Sequence, residues 1–158
     1  MKTMTDVFEH TLQDVYYAEN ALIKALPKVV EAASNSDLKK ALNVHLEETR
    51  SQLKILDGVF KTIGKKPSGE KCDAIEGLIK ETEGVIKEAK SDKARDLAIV
   101  GCCQAVEHYE IARYGTLREW AKVLGHGEAH DLLTQILDQE RAANSKLTNL
   151  AVTTLNKK

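Results

Sequence analysis

The sequence predicts an all-α protein, a four-helix bundle with one long crossover connection. Three observations carry that prediction. Apolar residues recur at alternating steps of three and four over long stretches, which marks one buried face of a helix. Only two prolines and nine glycines interrupt the 158 residues, and aromatics make up 4%. The breakers also cluster, at "SNSD" (34 to 37), "KKPSGEK" (65 to 71) and "GHG" (125 to 127). Long uninterrupted runs between clustered breakers favour helices over many short strands.

The first helix is expected from Thr5 to about Ala33. Thr5 and Asp6 are capping types, and Asp6 and Glu9 suit the first turn of a helix dipole. Its seam reads Phe8, Leu12, Val15, Glu19, Leu22, Leu26, Val29, Ala33. Pro27 falls inside the pattern and should kink the helix or force a restart. "SNSD" then makes a tight turn, with Ser36 as the expected N-cap. The second helix runs to Ile63 on a stripe of Leu42, Leu46, Leu53, Leu56 and Phe60, and Gly64 and Pro67 stop it. Residues 64 to 91 form the connection. Within it, "CDAIEGLIKETEGVIKEAK" reads as a shorter helix with Ile75, Leu78, Ile79, Val85 and Ile86 on one side. Ser91 and Asp92 cap a third long helix ending near Leu124. After "GHG", the fourth runs from about Glu128 to Leu155, through Leu133, Ile136, Leu137, Glu140, Leu147 and Leu150.

Helices one and two, and helices three and four, are joined by short turns, so each pair is antiparallel. A helix of about 18 residues spans roughly 27 Å, so the connection can travel the length of the bundle. Helices two and three then run parallel. This is the ferritin-like arrangement, here as a single domain over residues 1 to 158.

Bulk properties exclude several function classes. The formal net charge is -1 with no basic stripe, so nucleic acid is not an expected partner. There is no apolar run of the length a membrane span requires. The start, "MKTMTDVFEH", shows no apolar signal-peptide region, so a cytoplasmic location is expected. Cys72, Cys102 and Cys103 make a poor disulfide framework, and the adjacent pair lacks zinc-ligand spacing.

The seams carry acids where a core should be apolar. Helix one has Glu19, helix three has Glu107 and Glu110 in "VEHYEIARYGTL", and helix four has Glu140. Helix two offers "HLEET", where His45 and Glu48 share a face. Each of these acids lies roughly 20 to 28 Å from the turn of its own hairpin, at about 1.5 Å per residue. The two turns are expected at opposite ends, so the acids converge near mid-height. Clustered buried carboxylates repel and are costly unless a metal binds them. An oxygen-rich donor set suits two divalent ions, iron first and manganese second.

The di-iron bundle pattern supplies a Glu from each of two helices and Glu-x-x-His from each of the others. Here His45-x-x-Glu48 is reversed, and Ala143 stands three residues after Glu140 in place of histidine. His108 points about 100° away from its neighbour Glu107 and is not an expected ligand. His10, His126 and His130 fall far from mid-height. Tyr16, Tyr17, Tyr109 and Tyr114 read mainly as packing residues, with a hydroxyl or redox role beside the site as the alternative.

"DVYYAENALIKALPKV", "HLEETRSQ", "KCDAIEGLI", "VEHYEIARYGTL" and "LDQERAA" resemble the bacterial YciF family of stress-associated ferritin-like proteins. The likeness spans nearly the whole chain in the same order. It implies a ferritin-like bundle, a homodimer and a rubrerythrin-like dinuclear centre, with stress-linked expression and no settled activity. Glu19, Glu48, Glu107, Glu110 and Glu140 fall where the family's bundle acids stand. The last motif departs, with Gln139 where a second acid is expected.

The expected metal residues are therefore Glu19, Glu48, Glu107, Glu110, Glu140 and His45, with Glu48 and Glu140 as bridges. The expected chemistry is ferroxidase or peroxide reduction, with oxygen or hydrogen peroxide as substrate. A non-enzymatic dimeric stress protein, its metal structural or absent, is the rival. An iron-storage or DNA-shielding cage is weaker, because nothing in the sequence specifies a shell.

Overall fold

The computed structural model describes residues 1–157. The helices are α1 (Met4–Ala32), α2 (Ser36–Thr62), α3 (Asp73–Glu88), α4 (Asp92–Val123) and α5 (Gly127–Leu150), closed by a π-helical turn at Ala151–Leu155. No strand occurs among the described residues. The expected class, a helical bundle with a shorter helix in its crossover, is what the chain forms.

Local chemistry explains the boundaries and shifts several of them. The α1 cap is Thr3, not Thr5 or Asp6. Thr3 Oγ1 accepts from the Asp6 amide at 3.1 Å, and Asp6 Oδ2 accepts from the Thr3 amide at 3.0 Å. This reciprocal box needs an acid three positions after the hydroxyl, a spacing that Thr3 and Asp6 meet. In α2 the cap is Asn35 rather than Ser36, because Asn35 Oδ1 accepts from the amides of Asp37 and Leu38. Ser91 caps α4 as expected, accepting from the Ala94 amide. The final helix ends at Leu150, before the expected Leu155, as the backbone widens into the π turn.

Pro27 does not force a restart, and α1 continues to Ala32. Its ring faces solvent while Leu26 and Val29 are buried. Losing one hydrogen bond costs less than the burial that holds the helix on both sides of it. Helices α2 and α4 both end in Schellman motifs. Lys65 N donates to Phe60 O and His126 N to Ala121 O, each at 2.9 Å. Gly64 (φ 71°) and Gly125 (φ 77°) supply the left-handed residue each motif needs.

The apolar core falls into two clusters. One gathers Phe8, Leu12 and Val15 of α1 with Leu56, Val59 and Phe60 of α2, Leu117 and Ala121 of α4, and Leu133 and Leu137 of α5. The other gathers Leu22, Leu26 and Val29 with Leu38, Leu42 and Leu46, then Ile99, Val100 and Leu147. The first half of α1 thus meets the second half of α2, and the second half of α4 meets the first half of α5. Each hairpin is antiparallel, its turn lies at the opposite end from the other's, and α2 runs parallel to α4. Asp96 near the start of α4 fixes this register. Its carboxylate accepts from the Ser34 amide at 2.7 Å and the Asn35 amide at 2.8 Å in the α1–α2 turn.

The crossover travels back along α1. Glu70 N donates to Gln13 O, and Gln13 Nε2 donates to Ser68 Oγ. Gly69 passes so close to Tyr17 that a Cβ there would stand 3.2 Å from the Tyr17 Cα. Helix α3 then packs on α4 and α1, with Ile75 fully buried.

Candidate metal centre

Between the two apolar clusters lies a polar layer. Glu19 of α1, Glu107 and Glu110 of α4, and Glu140 of α5 are all at most 2% exposed. They are buried because each occupies a seam position of a long amphipathic helix that must keep its face inward to bury the leucines above and below. His45 joins them from α2, also buried, with Nε2 3.4 Å from Glu107 Oε1. Donor atoms of His45, Glu107 and Glu110 lie within 4.8 Å of one another, and so do those of Glu19, Glu110 and Glu140. Glu110 belongs to both groups.

Glu48 is placed differently. Its side chain is 29% exposed and its Oε1 accepts from Lys146 Nζ of α5 at 3.1 Å. It stands outside both groups, and Glu110 is the residue common to them. The reason is helical phase. The buried face of α2 runs Leu42, His45, Thr49, Gln52, Leu56, Val59. Steps of three and four lead through Thr49 and Gln52, and Glu48 falls on the flank. The same spacing rule, carried through the polar residues of α2, points to Gln52.

The electrostatics follow from burial. Desolvation pushes the Glu19, Glu110 and Glu140 carboxyls well above the usual carboxylate range, and the charges of neighbouring acids push further. At Glu140 the charge of Glu107 adds to the rise and the Gln52 amide opposes it. Glu107 is raised to about 7, chiefly by burial, with Glu19 and Glu48 adding to it. Burial pushes the His45 imidazole down, against the pull of Glu48. The layer without cations therefore favours protons on its acids.

Tyr114, fully buried on α4, donates its hydroxyl to Glu19 Oε1. It is both a packing residue and a support for the site. The other tyrosine hydroxyls go elsewhere: Tyr16 to Asp57, Tyr17 to Glu76, and Tyr109 to the Cys72 thiol. His10 pairs with Glu70, His126 stacks on Phe8, His130 pairs with Asp131 and His108 is exposed, so none approaches the layer. Cys72, Cys102 and Cys103 are free thiols.

The donor set fits divalent metal. Both carboxylate oxygens of Glu107 and of Glu140, one oxygen each of Glu19 and Glu110, and His45 Nδ1 are buried without a hydrogen-bond partner. Native interiors rarely leave polar atoms orphaned, and cations would satisfy them. Ala143, at the position of the missing histidine, borders a cavity of about 220 Å³ between α2, α4 and α5 that reaches His45 and Glu107.

A crossover helical bundle with a buried carboxylate layer at mid-height defines a class: helical proteins whose interior acids could hold metal ions. More narrowly, the chain belongs to the family described as "Domain of unknown function (DUF892)", whose profile matches residues 3–158. It is 45% identical to Protein YciF of Escherichia coli (strain K12), covering 100% of this chain and 96% of that protein. The crystal structure of the E. coli stress protein YciF superposes with a TM-score of 0.95 over 100% of both chains. YcfI from Rhodopseudomonas palustris, described provisionally as a structural protein, is 53% identical with a TM-score of 0.92, covering 93% of this chain and 94% of its own. A Xanthomonas campestris protein at 21% identity shares the fold, with a TM-score of 0.75 over 94% of this chain and 91% of its own. This protein is thus a homologue of a stress protein. No helix among the described residues is long and apolar enough to cross a membrane.

Proposed function

We propose that the protein is a ferritin-like dinuclear metal protein, binding two divalent ions, with iron first and manganese as the alternative. The observation that carries this reading is the pair of buried donor groups sharing Glu110, with their orphaned oxygens. Glu107, His45 and Glu110 would hold one ion, and Glu19, Glu110 and Glu140 the other. Glu48 would join them by leaving Lys146. When bound, such ions supply redox chemistry toward oxygen or hydrogen peroxide, as ferroxidase or peroxide reductase. Glu107, raised to about 7, releases its proton readily as a cation arrives near neutral pH. Tyr114 holds Glu19 in one orientation. The flanking apolar clusters exclude water from the layer. The cavity beside Ala143 offers a small oxidant a way in. We further read the protein as a single-domain homodimer of the cytoplasm, where free thiols persist.

One observation favours a second reading, a dimeric stress protein whose metal only staples the fold. Position 143 is alanine, and the acid-rich site has a single histidine among its donors. The Rhodopseudomonas relative's provisional description as structural points the same way.

Metal analysis after anaerobic loading with Fe(II), beside Glu110→Ala, tests the centre. Two equivalents in the parent, falling below one in the variant, are expected because Glu110 serves both groups. No bound metal in either protein would sink the proposal. Fe(II)-dependent peroxide turnover then separates the redox reading from the staple, and light scattering reports the dimer.

A further inference from the structure

A second cavity, distinct from the one beside Ala143, opens between α1, α3 and α4 and has a volume of about 330 Å³. That is within the size range of small-ligand sites. Its walls are Leu22, Leu26, Val29, Ile79, Ile86 and Val106. Its inner end is closed by His45 and Cys103. The Thr82 hydroxyl on the wall is already committed to Leu78 O at 2.8 Å. His45 is 9% exposed and lines the cavity.

Charge sits only at the mouth, on exposed Lys28, Glu83 and Lys87. Lys28 leans toward Glu83 at 3.7 Å, and Lys87 makes no ion pair among the described residues. The balance of these three groups is one positive charge.

We infer that this cavity is a binding site for a short aliphatic carboxylate, its hydrocarbon chain between α1, α3 and α4 and its head group on Lys28 and Lys87. An apolar interior with a cationic rim suits an amphipathic anion, since chain burial supplies the affinity and the lysines select the sign of the head group. The far end of the chain would stop against His45. None of its walls is a carboxylate of the acid layer, and His45 is the one residue that the cavity shares with the two donor groups, so titration with and without metal separates the two sites.

The test is calorimetric titration of the full chain with octanoate and with octylamine, run both after chelation and after Mn(II) loading. Octanoate is expected to bind at one site in both states, and octylamine to bind more weakly. Ala25→Trp, which fills the cavity from α1, should weaken octanoate by about tenfold or more. Lys87→Glu, a surface change that leaves the core untouched, should weaken octanoate and strengthen octylamine. The ring proton signals of His45 should shift on adding octanoate. Absence of saturable octanoate binding, equal binding of the two probes, or an unchanged affinity in both variants would overturn the proposal. Failure of metal loading would leave these outcomes readable.

Discussion

Replacing Glu107 by Gln removes one ionisable group from the acid layer while keeping its size. Glu107 is 1% exposed, and neither carboxylate oxygen has a hydrogen-bond partner. Its pKa is raised from 4.5 to about 7. The folded state therefore holds a proton that the unfolded chain releases. The sign follows: below about pH 4.5 there is no penalty, and as pH rises toward 7 the metal-free protein loses stability. At 1.36 kcal/mol per pH unit, the loss assignable to this carboxyl is about 3 kcal/mol, complete just above pH 7. Metal-free Glu107→Gln should match the parent near pH 4.5 and exceed it by about that amount at pH 8. Urea unfolding in chelator at several pH values measures the difference. With Mn(II) in excess the order should reverse, because the cation binds the carboxylate and not the amide. A variant equal to or less stable than the parent at pH 8 without metal would refute the reasoning.

Other substitutions separate the fold from the site. Asp96→Ala removes two amide contacts that pin α4 to the α1–α2 turn, and should cost about 2 to 3 kcal/mol in denaturant unfolding without changing metal stoichiometry. Leu133→Ala, at a fully buried position in the apolar cluster away from the layer, should cost about 2 to 5 kcal/mol, again with metal content retained. Ala143→His restores the Glu-x-x-His spacing beside the 220 Å³ cavity, and should tighten metal binding in competition with a chelator. Unchanged affinity there would mean that position 143 does not face the ions.

The seam of α1 was fully legible in the sequence. Every position from Phe8 to Ala33 in its pattern is buried, Glu19 among them. A helix in contact with several neighbours must hide one continuous stripe, so spacing alone finds it. Glu107, Glu110 and Glu140 were found the same way. The leucine spacing of α2 leaves its polar seam residues Thr49 and Gln52 indistinct from the flanking Glu48. The caps failed for a related reason. Thr3 and Asn35 are chosen by which side chain reaches a free amide, and neighbouring residues of equal capping propensity compete until that geometry exists.

The order of the helices, the single long crossover and the mid-height row of acids are properties of the one-dimensional pattern. Apolar periodicity and the placement of breakers determine them, because burying those stripes leaves few arrangements open. The pairing of donors is a property of the packed bundle. One residue along a helix turns a side chain by about 100°, so which acids meet depends on the phase in which four helices settle together. That phase puts Glu110 in both donor groups, leaves Glu48 to Lys146, and opens cavities on two sides of His45.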